Sequence, residues 1–126
     1  MFQKENSSLT IIFDVSYTEN FDAIKRYILE EEIPFISGLN QDNLVRFEWY
    51  FSLEKNTATL IEMAKDSDAW EKLATQVIGS PVNIKFNDFF TIEKLTVLGE
   101  VSDSLREKLE PMNPEFRPYV AGFVVS

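Results

Sequence analysis

The chain has 126 residues, with 12 Lys and Arg against 21 Asp and Glu, and a formal net charge of −9. It contains no Cys and no His, which excludes a disulfide framework, thiolate chemistry, a histidine base, a Ser-His-Asp triad and an imidazole ligand for haem or metal. An apolar share of 44% suits one globular domain spanning residues 1–126.

Leu9 to Ser16 alternates apolar and mixed residues and is rich in β-branched side chains, which predicts a strand with Leu9, Ile11, Phe13 and Val15 on one face. A helix is expected over about 19–32. Thr18 or Asn20 can cap it, Phe21, Ile24 and Ile28 share its apolar side with Tyr27, and Pro34 should end or kink it. The run Glu30-Glu31-Glu32 reads as a solvated helix face. Leu44 to Ser52 alternates again, with Val45, Phe47, Trp49 and Phe51 on one face and Arg46, Glu48, Tyr50 and Ser52 on the other. Glu54-Lys55-Asn56 is a turn, and Thr57 to Lys65 completes an antiparallel hairpin.

Asp68 with Glu71 forms a capping box, with Asp66 or Ser67 as the alternative cap, for a helix whose stripe is Trp70, Leu73, Ala74, Val77 and Ile78. Gly79 and Pro81 suit its end. Val82, Phe86, Phe89 and Phe90 repeat helical spacing. Glu93 to Val101 reads as a fourth strand. Ser102-Asp103 caps a short helix carrying Leu105 and Leu109, and Tyr119 to Val125 suits a last strand or an extended arm.

The order β-α-β-β-α-β predicts an α+β, ferredoxin-like antiparallel sheet with both helices on one face, a core over about 9–101 and a C-terminal extension over about 102–126. The second sheet face, bearing Ile12, Arg46, Glu48 and Tyr50, is too apolar and too mixed in charge for a plain wet surface. Pairing two such faces in a homodimer would bury them around a central cavity. The stretches Phe47-Glu48-Trp49-Tyr50-Phe51-Ser52, Ala58-Thr59-Leu60-Ile61-Glu62 and Asp66-Ser67-Asp68-Ala69-Trp70 resemble the dimeric α+β barrel superfamily, in particular antibiotic biosynthesis monooxygenases and quinol monooxygenase-like proteins. The motif match covers about 44–78, and the element order extends it to about 9–101. The chain lacks the His that such proteins often carry early in the second helix, about where Leu73 to Thr75 stand.

The resemblance implies a cofactor-independent oxygenase of small aromatic or quinol-like substrates. The alternative is a non-catalytic dimeric protein that holds a small apolar ligand or serves in stress. Glu62 and Tyr50 are the candidate catalytic residues, and Arg46, Glu48 and Trp49 the candidate ligand-binding ones. Arg46 would orient an anionic or phenolic ligand, Tyr50 would donate a hydrogen bond, and Glu62 would act as a base. Each also has a plainer reading: a salt-bridge ladder for Arg46, Glu48 and Tyr50, core packing for Trp49, and a helix cap or a partner for Arg46 in the case of Glu62. Asn83 and Asn87, four apart, either reach a ligand or decorate an exposed helix. Asp66, Asp68 and the Glu30–Glu32 run do not match calcium-loop spacing, and no metal and no cofactor are expected. The acidic charge disfavours nucleic acid and anionic membranes, no apolar run approaches a membrane span, and Met1 to Asn6 lacks a signal-peptide core, so a cytoplasmic location is expected.

Overall fold

The structure is a computed structural model that describes residues 8–41 and 43–125. Strand β1 (Leu9–Tyr17) buries Leu9, Ile11, Phe13, Val15 and Tyr17 and leaves the intervening residues half-exposed, as alternation demands. The first helical segment departs from expectation. Helix α1 (Phe21–Tyr27) starts at the Asn20 cap, whose side chain accepts from the Asp22 and Ala23 N–H groups. It then runs through a π-helical turn (Ile28–Glu32) into α2 (Ile33–Leu39). Pro34 therefore does not end the helix. It stands at the start of α2, where its missing N–H is tolerated, just after the turn widens so that the Ile33 N–H bonds the Ile28 carbonyl.

Strands β2 (Leu44–Ser52) and β3 (Thr57–Ala64) form the predicted hairpin. A bulge between Leu44 and Arg46 throws Val45 out of register, so Val45 is 64% exposed instead of joining Phe47, Trp49 and Phe51. Helix α3 (Ser67–Val77) is capped by Asp66, which accepts from the Ala69 N–H at 2.8 Å, rather than by Asp68. Ile78 falls beyond its last turn and is exposed. Pro81 opens α4 (Pro81–Phe89) behind a Ser80 cap.

Strand β4 (Phe90–Leu98) begins and ends earlier than predicted. Phe90 pairs with Tyr17, and Gly99 turns away with φ +117°. Helix α5 (Asp103–Leu109) has the expected Ser102 cap and continues into a 3-10 turn (Glu110–Met112). The last strand is not Tyr119–Val125 but β5 (Glu115–Arg117), where the Arg106 guanidinium sits 4.1 Å above the Phe116 ring.

The sheet order is β2-β3-β1-β4-β5, with the first four strands antiparallel in the ferredoxin-like order and β5 added parallel to β4. The buried cluster joins the inward residues of β1, β3 and β4 to Ile24, Tyr27, Ile28 and Ile36, to Trp70 and Leu73, to Phe86, and to Leu105 and Leu109. All helices of that cluster therefore cover one face. The opposite face carries Ile12, Ile61 and Met63 beside Asp14, Thr59, Arg46, Glu48 and Tyr50. No helix of the described residues is long and apolar enough to cross a membrane.

Candidate active site

Between the sheet and its helices lies a cavity of about 250 Å³. The sheet supplies Phe13, Phe47, Leu60 and Glu62, the first helical segment Tyr27, Glu32 and Ile36, and α3 supplies Trp70, Leu73 and Val77. Helix α4 contributes Val82 and Phe86, with Asn83 and Asn87 also in the lining, and Leu105, Lys108, Leu109 and Met112 close another side. The C-terminal extension is thus part of the wall. It is tied to α3 by Ser67, whose Oγ accepts from the Ser102 N–H at 3.0 Å, and by Glu71, which takes bonds from Ser104 at 2.8 Å and Lys108 at 2.5 Å.

Two carboxylates enter this apolar space, each held by an indole. The Trp70 Nε1–H donates to Glu62 Oε1 at 3.1 Å, and the Trp49 Nε1–H donates to Glu32 Oε1 at 2.7 Å. Trp49 is fixed in turn by stacking on Phe90, with centroids 4.8 Å apart and planes 23° from parallel. No described group bonds the second oxygen of either Glu. The Tyr27 hydroxyl donates to the Val82 carbonyl at 2.6 Å and is engaged.

Burial dominates the electrostatics. It pushes the Glu62 carboxyl up to about 7, against the lowering effect of the Trp70 hydrogen bond. Burial likewise pushes Glu32 up to about 8, opposed by the Trp49 bond and reinforced by the charge of Glu62. Burial and then the nearby charges of Glu32 and Glu31 raise the Tyr27 phenol, which stays protonated. Among the described residues of the lining the cation is Lys108, and it is paired with Glu71. The cavity therefore holds two carboxyls that burial raises to about 7 and about 8, and the cation of its described lining is already paired.

No protein-family model matches the chain, and no curated protein matches it. Solved structures do. MupZ from Pseudomonas fluorescens superposes with a TM-score of 0.77 at 19% identity, over 96% of this chain and 100% of that one. SnoaB from Streptomyces nogalater, described as a cofactor-independent oxygenase, gives 0.63 at 14% identity, over 76% and 95%. The protein YJCS gives 0.55 at 13% identity, over 76% and 100%. The chain has the fold of these proteins. The α+β, ferredoxin-like arrangement expected from the sequence is thereby borne out.

Of the residues singled out from sequence, Glu62 lines the cavity, where it bonds Trp70 and neither caps a helix nor meets Arg46. Trp49 does not line the cavity but holds Glu32. Arg46, Glu48 and Tyr50 lie on the other face of the sheet and are joined along one strand: Arg46 Nε donates to Glu48, and Arg46 Nη2 donates to Tyr50 Oη at 3.1 Å. Asn83 and Asn87 are both at the cavity. Glu32 and Tyr27 escaped the sequence reading as site residues. The signal for Glu32 was its place in the series Ile24, Ile28, Glu32, Ile36, a carboxylate in step with an apolar stripe. Among the described residues no group of three or more His, Cys, Asp or Glu could hold a metal ion.

Proposed function

We propose that the cavity is the active site of a cofactor-independent monooxygenase acting on a small neutral hydroxyarene, with Glu62 as the proton acceptor. The observation that carries this reading is a carboxyl set in an aromatic cavity and raised to about 7, near the value at which a base works best at neutral pH. The fold likeness to a cofactor-independent oxygenase supports it. The volume of about 250 Å³ exceeds the roughly 150 Å³ that admits benzene, and it suits a bicyclic ring system.

In this chemistry Glu62 takes the phenolic proton. The electron-rich anion passes one electron to dioxygen, and the radical pair combines at a ring carbon. The peroxide regains the proton, and loss of water from the carbon that bears hydrogen leaves a ring carbonyl. For 1-naphthol the balance is one dioxygen consumed, one 1,4-naphthoquinone and one water formed. The protein supplies a dry cavity, a base and oriented rings.

Arg46, Glu48 and Tyr50 belong, in this reading, to the sheet face through which two copies pair, and the protein works in the cytoplasm as a homodimer. Light scattering at micromolar concentration then gives twice the chain mass, and a clean monomer removes the dimer. The activity test is oxygen uptake with 1-naphthol. Wild type should consume oxygen and form naphthoquinone in equal amounts, and Glu62→Gln should lower the rate by at least about 100-fold. No uptake above buffer overturns the oxygenase. A ligand-induced thermal shift without uptake would make the chain a small-molecule binding protein instead.

A further inference from the structure

The assignment of Glu62 as a base leaves Glu32 unexplained. It is only 3% exposed, it lines the same cavity, and its one side-chain bond in the structure is from the Trp49 N–H. A lone carboxylate in such a place is expensive to bury unless it stays protonated or does something. The structure invests in it: the helix widens into a π turn that ends at Glu32, and Trp49 is stacked so that its N–H meets the carboxyl. π turns of this kind recur at functional sites.

We propose that Glu32 is the acid partner of Glu62, and that the pair catalyses enolisation of small, uncharged carbonyl compounds without dioxygen. The proposal rests on the reading of the cavity as an active site with Glu62 as base. Its chemistry is separable from oxygenation. Glu62 takes a proton from the carbon beside the carbonyl, the C–H electron pair becomes the carbon–carbon double bond, and the carbonyl π pair takes the proton held by Glu32. The product is the enol, an isomer of the ketone, with the two carboxyls having exchanged protonation states. Reversal, after the carboxyls exchange with solvent, returns the ketone with a solvent hydrogen at carbon.

The substrate class follows from the lining. Two acidic groups and a cation already paired with Glu71 leave nothing to hold an anion, so carboxylates and phosphates are disfavoured and neutral ketones fit. The other titratable groups of the lining are engaged: Tyr27 donates to Val82, and Glu71 and Lys108 bind each other.

The test uses 2-tetralone, a neutral bicyclic ketone, in D₂O under argon, with exchange of its C1 hydrogens followed by proton NMR. The wild-type chain should accelerate exchange over buffer, and Glu32→Gln and Glu62→Gln should each lower the enzymatic rate by at least about tenfold. The Gln of Glu32→Gln keeps an oxygen for the Trp49 N–H. Trp49→Phe gives a second readout. Loss of the bond that lowers Glu32 should move the alkaline limb of the exchange profile to higher pH. An exchange rate in Glu32→Gln within twofold of wild type, or an unmoved limb in Trp49→Phe, overturns the role of Glu32. Wild-type exchange no faster than buffer overturns the proposal even where oxygen uptake with 1-naphthol is found. Exchange without oxygen uptake sustains it and removes only the oxygenase.

Discussion

Replacing either cavity glutamate by glutamine should make the protein gain stability on wild type as pH rises. The sign follows from linkage. An unfolded carboxyl ionises near its ordinary value of 4.5, whereas folded Glu62 holds its proton to about 7 and folded Glu32 to about 8. The stability each group lends is therefore whole below about 4.5. It drains away as pH rises toward the folded value, because the native state binds a proton that the unfolded state has released. The sequence pI of about 4.5 makes the acid end a poor place to measure, so the useful window runs from about pH 5.5 to about pH 9. One pH unit of such mismatch is about 1.4 kcal/mol. Over that window Glu62 loses on the order of 2 kcal/mol, and Glu32 on the order of 3 kcal/mol.

Glutamine has the same shape, keeps an oxygen for the indole and cannot ionise. The offset it introduces by carrying an amide in place of a hydroxyl is the same at every pH and cancels in the comparison. The assay is urea unfolding of wild type, Glu62→Gln and Glu32→Gln at fixed protein concentration across pH 5.5 to 9. The gap between variant and wild type should widen toward alkaline pH by those amounts. Parallel curves would refute the reasoning, for they would mean that both carboxyls titrate as they do in water.

Trp70→Phe removes the donor to Glu62, and because bonds to charged groups are the stronger ones its destabilisation, about 1–3 kcal/mol in urea, should grow as Glu62 ionises. Arg46→Ala should leave binding of 1-naphthol unchanged, since its side chain sits on the face away from the cavity; a lost thermal shift with 1-naphthol would return Arg46 to the ligand. Gly99→Ala should cost at least about 1 kcal/mol, because φ is +117° and a Cβ would meet the Ser8 carbonyl oxygen at 2.6 Å. Gly38→Ala, inside α2 with nothing within 4 Å of its Cβ, should stabilise by about 0.5–1 kcal/mol, and equal urea midpoints for the two would contradict the backbone argument.

The strands were legible because the alternation is strong. Leu9 to Val15 and Phe47 to Phe51 declare their inward faces by period alone. What misled was local backbone geometry that side-chain patterns do not encode. The bulge at Val45 and the π turn before Pro34 each add or shift one residue, and each moves a side chain to a different face without changing the pattern around it. The C-terminal strand was placed too late because the apolar run Val120 to Val125 outweighed Phe116, whose burial depends on Arg106 and on the edge of β4. Glu62 could be placed, since Ala58, Leu60 and Ala64 share its face.

Glu32 looked like one of three solvated acids, yet two rules applied together pick it out. It stands in register with Ile24, Ile28 and Ile36, and an apolar strand face holds Trp49, whose indole N–H must find an acceptor once buried. The same pairing recurs with Trp70 and Glu62. An apolar surface that carries a tryptophan and a glutamate as its polar members can satisfy both only by joining them. Each join leaves one carboxylate oxygen over, and in this fold neither spare oxygen meets another described group.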